Sequence, residues 1–188
     1  MMELVTKATF FAAKAHDGMK RKTNKNPYIL HPMEVAAIAG TMSETQEVIA
    51  AALLHDVVED AGIKAEEVEA EFGKRVFELV MAETENKRDD LPPDVTWEVR
   101  KEEAISLLEN TTDLDVKKLF LSDKLSNMRS FYREWEKFGD AMWQNFNQKD
   151  IAKQAWYYHS IAAATKELSA FDAWKEYVSL VEKVFERV

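Results

Sequence analysis

Apolar residues recur three and four positions apart along almost the whole chain, and only five Gly and four Pro are available to interrupt them. That spacing is the period of an α-helix, so an all-α domain is expected. A first helix is predicted over residues 3–16, with Leu4, Ala8, Phe11, Ala12 and Ala15 on one face and Asp17-Gly18 as its stop. Residues 19–30 are basic and turn-rich, and a short β-hairpin is expected there. Pro32 is read as the first position of a second helix, where its missing N–H costs nothing. Ser43 followed by Gln46 reads as a capping box for a third helix to about residue 59, whose Ala50-Ala51-Ala52-Leu53-Leu54 middle marks it as the buried hub. Two helices bent at Gly73 should follow, then a polar loop over 84–96. Thr96 should cap a helix to about residue 110, with later helices over 116–130, 150–168 and 171–187.

The balance of 25 basic against 34 acidic residues leaves a net charge of −9, which argues against a phosphate-backbone binder, so nucleic acid is not an expected partner. With no Cys, disulfides and thiolate-held metals are excluded. No run reaches the ~18 apolar residues of a membrane span, and Met1-Met2-Glu3-Leu4 lacks the pattern of a secretory signal. A single cytoplasmic domain over 1–188, not bound to membrane, is expected. Phe171, Trp174, Tyr177 and Phe185 leave open whether the C-terminal aromatics serve the core or a contact in a homo-oligomer.

The chemistry concentrates in Leu53-Leu54-His55-Asp56-Val57-Val58-Glu59-Asp60, where four ionisable groups stand at the end of an apolar helix. On a continuous helix, His55 stacks over Glu59 and Asp56 over Asp60. Buried carboxylates without a partner are expensive, and a divalent cation removes that cost. His and Asp donors without thiol suit Mn²⁺, Fe²⁺ or Zn²⁺ better than Ca²⁺. From this segment alone, a frayed acidic helix end accounts for the pattern equally well. Two other segments add candidates: His31, between Tyr28-Ile29-Leu30 and Pro32, and Asp123, directly after an apolar run. His31, His55, Asp56 and Asp123 would complete a four-ligand site from three helices, although a core histidine or a solvent-facing Asp explains each one singly.

The motifs Pro27-Tyr28-Ile29-Leu30-His31-Pro32, Leu54-His55-Asp56-Val57-Val58-Glu59-Asp60, Phe72-Gly73 and Asp123-Lys124-Leu125-Ser126-Asn127 together resemble the HD superfamily of metal-dependent phosphohydrolases. More narrowly, they resemble the hydrolase domain of the RelA/SpoT alarmone enzymes and their stand-alone small homologues. The resemblance implies an HD-domain helical bundle in which His31, His55, Asp56 and Asp123 hold one divalent ion, usually Mn²⁺, while Glu59 and Asp60 position and deprotonate the attacking water. It further implies removal of the 3′-pyrophosphate of guanosine 3′,5′-bis(diphosphate) or the pentaphosphate. Arg21, Lys22, Asn127 and Tyr157 would contact that substrate, and Thr84 and Lys87 would lie near its phosphates. Because no synthetase or regulatory domain follows, a single-function hydrolase is expected. Residues 84–90 depart from the family's usual loop, and Glu85, Asp89 and Asp90 would disfavour a bis-diphosphate. Two other readings stay open: an HD nucleotidase or phosphatase on another nucleotide, and a non-enzymatic nucleotide-binding module.

Overall fold

A helix of small and aliphatic residues organises the molecule. In the computed structural model, which describes residues 2–21, 25–88 and 90–186, α3 (Gln46–Leu54) buries Val48, Ala50, Ala51, Ala52, Leu53 and Leu54. Consecutive alanines point in different directions around the axis, so neighbours approach from several sides without a bulky side chain to hold them off. Helices α1 (Leu4–Ala15), α2 (Leu30–Ala39), α6 (Lys74–Glu83) and α8 (Leu114–Phe138) pack around it. The order between them is completed by α4 (Val57–Asp60), α5 (Ala65–Phe72) and α7 (Pro93–Asn110). After α8 come a 3₁₀ segment (Gly139–Asn145), α9 (Ile151–Ala164), a 3₁₀ turn (Lys166–Leu168) and α10 (Asp172–Phe185). The all-α class holds, and among the described residues no helix is long and apolar enough to cross a membrane.

Several expectations are corrected, each for a local reason. The third helix does not run on to residue 59; it stops at Leu54 and resumes as α4. The His55 imidazole Nδ1 lies 2.9 Å from the Ala52 carbonyl, the oxygen that the Asp56 amide would take in an uninterrupted helix. Ser43 makes no capping box: its Oγ accepts the Thr45 N–H at 3.3 Å, and the helix starts only at Gln46. Pro32 is the third residue of α2, still among the N–H positions that need no intrahelical partner. Thr96 lies inside α7, which Pro93 begins. Among the described residues, the expected hairpin shrinks to one antiparallel bridge, Lys20 with Pro27.

α8 is longer than expected because the aromatic stretch after Ser130 continues it to Phe138. Its start is fixed twice. Asp113 caps the Asp115 amide, and Arg75 of α6 forms ion pairs with both Asp113 and Asp115. Tyr177 and Phe185 belong to the core, and Phe171 and Trp174 pack half-buried against it.

Candidate metal centre and its two chambers

The break after α3 matters because it puts a histidine and an aspartate at a helix joint, facing two other helices. His31 is the second residue of α2, and Asp123 lies in the buried stretch of α8. His31 Nε2 lies 2.9 Å from Asp123 Oδ1 and 3.6 Å from Asp56 Oδ2. His55 Nε2 lies 3.1 Å from Asp56 Oδ2 and 3.6 Å from Asp123 Oδ1. Donor atoms of His31, His55 and Asp123 fall within 4.8 Å of one another, in the interior.

The far side of each imidazole fixes its tautomer. A carbonyl only accepts, so His55 carries its proton on Nδ1, toward Ala52. Ser126 spends its single hydroxyl proton on Glu34 (2.8 Å) and must therefore accept from His31 Nδ1 (2.9 Å). Both Nε2 lone pairs then face carboxylate oxygens, and His55 Nε2 is buried with no hydrogen-bond partner. Lone pairs opposed in this way call for positive charge between them, which a divalent cation supplies and which, without one, a proton on Nε2 supplies. Burial opposes a charge on His55, yet Asp56 and Asp123 outweigh it and lift the imidazole pKa well above its ordinary value. Despite their own burial, Asp56 is held below the usual carboxylate range by His55 and His31, and Asp123 by Lys124 and the same imidazoles. Two imidazole nitrogens and two carboxylates, without thiol, form a donor set suited to a divalent transition ion.

Glu59 and Asp60 sit on α4, beside this cluster. The Tyr28 hydroxyl bridges Asp56 Oδ2 (2.8 Å) and Asp60 Oδ2 (2.9 Å). Burial and these two carboxylates push its pKa far up, so it stays a donor. Glu59 Oε2 accepts the Glu85 backbone N–H at 3.1 Å. Burial and the nearby Glu85 carboxylate raise the Glu59 pKa, against that hydrogen bond. Lys87 pairs with Asp60 at 2.6 Å, whereas the Thr84 hydroxyl turns back onto the Val80 carbonyl.

Two cavities meet at Arg21, Tyr28 and Asn127. A polar chamber of about 190 Å³ exposes His31, Asp56, Glu59 and Asp123. An aromatic chamber of about 380 Å³ is lined by Met19, Phe131, Phe146 and Tyr158. At their junction, Arg21 Nη2 donates to Asn127 Oδ1 (3.0 Å), and Asn127 Nδ2 donates to Asp123 Oδ1 (2.9 Å). Lys22 lies outside the described residues. Tyr157 lines neither chamber: its ring is 2% exposed, beneath Lys101 and against Trp97, and the next residue, Tyr158, faces the aromatic chamber instead.

Sequence reasoning missed the Tyr28 bridge and the Ser126–Glu34 support, although both residues stand within three or four positions of an assigned one. It also missed the role of Glu83, whose side chain is 4% exposed and bonds Lys124 at 2.8 Å. An acid at the otherwise apolar end of α6 was the available signal.

A protein-family model described as HD domain matches residues 8–150. The chain is 35% identical over 130 residues to the guanosine-3′,5′-bis(diphosphate) 3′-pyrophosphohydrolase of Aquifex aeolicus (strain VF5), covering 69% of this chain and 18% of that protein. It is 31% identical over 131 residues to the GTP pyrophosphokinase of Myxococcus xanthus, covering 69% and 17%. The chain thus spans less than a fifth of the length of the curated relatives it matches. Among solved structures, lmo0812 from Listeria monocytogenes EGD-e superposes with a TM-score of 0.73 at 32% identity, covering 84% of this chain and 99% of that one. A metazoan ortholog of SpoT, described as hydrolyzing ppGpp, shares the fold with a TM-score of 0.76 at 23% identity, covering 97% and 96%.

Proposed function

Because the chain belongs to the HD domain family, we propose that it is a divalent-cation-dependent phosphohydrolase that removes the 3′-pyrophosphate of guanosine 3′,5′-bis(diphosphate). The observation that carries this reading is the convergence of the His31 and His55 Nε2 atoms, whose Nδ1 atoms face Ser126 and Ala52, on the carboxylates of Asp123 and Asp56 at 2.9–3.6 Å. His31, His55, Asp56 and Asp123 would hold the ion, for which Mn²⁺ is our assignment. When bound, such an ion supplies Lewis-acid chemistry, acidifying water and screening phosphoryl charge.

The other steps belong to this chain's own side chains. Glu59 takes the proton of the attacking water, a role its raised proton affinity suits. Asp60, tied to Asp56 through the Tyr28 hydroxyl, orients that water. The water oxygen bonds to the 3′-phosphorus as the bond from phosphorus to the 3′-oxygen breaks. Pyrophosphate and GDP leave, the 3′-oxygen taking up a proton. Arg21 and Asn127, at the junction of the chambers, hold the sugar and phosphate region, with Lys22 assigned to the same contact. The Phe131, Phe146 and Tyr158 rings offer faces for the base.

The relatives named as 3′-pyrophosphohydrolases and the SpoT ortholog support the choice of substrate. A second reading, a phosphatase acting on another nucleotide, is favoured by the Glu85 carboxylate in the polar chamber. Purified protein with Mn²⁺ and the tetraphosphate, followed by chromatography, should yield GDP and pyrophosphate. No turnover at micromolar enzyme would remove this substrate, and release of orthophosphate from a different nucleotide would establish the second reading.

A further inference from the structure

Within the polar chamber, the cations that would meet a phosphate are already engaged by the chain's own acids. Arg100 and Lys101 on α7 point at Glu85, which gives one carboxylate oxygen to each. All three side chains are no more than 15% exposed. Burial lowers the Lys101 pKa, and Glu85, despite its own burial, is held below the usual carboxylate range by Lys101 and the neighbouring cations. In the same chamber, Lys124 is shared between Asp123 and Glu83, and Glu83 Oε2 is buried without a hydrogen-bond partner. Arg21 differs, because an amide oxygen holds it.

A carboxylate bridging a guanidinium and an ammonium beside a metal site has the charge and donor demand of a phosphate oxygen pair. We propose that Arg100 and Lys101 form a second phosphate seat, taking a phosphate or pyrophosphate group of the substrate, and that Glu85 is a tethered stand-in which the incoming group must displace. The inference rests on reading the cluster as a phosphohydrolase centre, and it adds two binding residues and one competing residue. Glu85 thereby sets how many phosphates the chamber accepts: each anionic group that enters must outcompete a carboxylate already in place. Displacement also reaches the chemistry, because the Glu85 backbone N–H is a hydrogen-bond donor to Glu59.

The experiment is calorimetric titration of inorganic pyrophosphate into Mn²⁺-loaded protein, with hydrolysis of the tetraphosphate followed in parallel. Removing the competitor in Glu85→Gln should tighten pyrophosphate binding by about ten-fold, and the Arg100→Met/Lys101→Met pair should weaken it by ~10–100-fold, the scale of one or two charge-assisted hydrogen bonds. Equal or weaker binding in Glu85→Gln would overturn the proposal, showing that Glu85 scaffolds the two cations and does not compete for them. If Glu85→Gln does not fold, Lys101→Met alone decides the matter. A loss of about five-fold or more supports the seat, and wild-type affinity overturns it. Pyrophosphate binding that responds to these variants without any tetraphosphate turnover would instead refute the substrate assigned above and leave the seat intact.

Discussion

The two chambers that meet at Arg21, Tyr28 and Asn127 are built by different rules. In the polar chamber almost every group is held by another: His31 by Ser126, His55 by Ala52, Asp56 by Tyr28, Glu85 by Arg100 and Lys101. Such interlocking is what a low-dielectric site requires, since each unpaired charge would cost several kcal/mol (roughly 3–5 for a broken buried pair). The aromatic chamber is held by ring packing, with Phe131 5.0 Å from Phe146 and 5.5 Å from Tyr158, centre to centre. Rings tolerate exchange where interlocked ions do not. One chamber is therefore suited to fixed chemistry and the other to adjustable recognition.

The sharpest way to break this contrast is to remove a ligand. His55→Ala or Asp56→Ala should abolish metal binding and bring turnover below detection, read by metal analysis beside an activity assay. Retention of a full equivalent of metal in either variant would dissolve the centre as described. Next in size, Glu59→Ala should keep its metal while slowing hydrolysis by ~10²–10⁴-fold, the usual cost of losing a general base. Loss of the ion there would move Glu59 into the ligand set.

The aromatic side should respond more mildly. Phe146→Ala should raise KM by about 5–30-fold, the worth of one stacking face, with metal content and kcat close to wild type. A fall in kcat without a change in KM would show that this chamber does more than hold the base.

The smallest effect concerns pH. In metal-free protein, burial and the Asp123 charge outweigh Lys124 and push the Glu83 pKa up to about 8, from an ordinary 4.5. The folded chain then holds a proton that the unfolded chain has released, so stability should fall as pH rises through that window. A melting series should show a drop in Tm of about 3–6 °C, smaller in Glu83→Gln, where the raised His55 imidazole still contributes.

What was legible in the sequence follows the same division. His55, Asp56 and Asp123 stood out because polar groups at the end of an apolar helical run need a reason, and His31 because it stands between a short extended run and a proline; the family resemblance, not spacing, joined the four. Most helices followed from spacing. The joint at His55–Asp56 was not legible, because the helical pattern continues across it and only the imidazole contact with Ala52 reveals the break. Glu85, Arg100 and Lys101 were also missed as a unit. Charged residues on an amphipathic helix read as a solvated face, and the bonds between them span 15 and 16 residues. Tyr158 differs from Tyr157 only by a helical rotation of about 100°, finer than boundary reasoning resolves.

The double anchoring of α8 has an evolutionary corollary. From the Arg75 clamp at Asp113 and Asp115 to Asp123, Ser126 and Asn127, one unbroken helix acts as a ruler. A single codon gained between clamp and ligand would swing Asp123 by about 100° and shift it by ~1.5 Å, out of reach of both imidazoles. Length variation in descendants of this gene should accordingly be purged from that interval and accumulate downstream of Phe138, beyond the four proposed ligands.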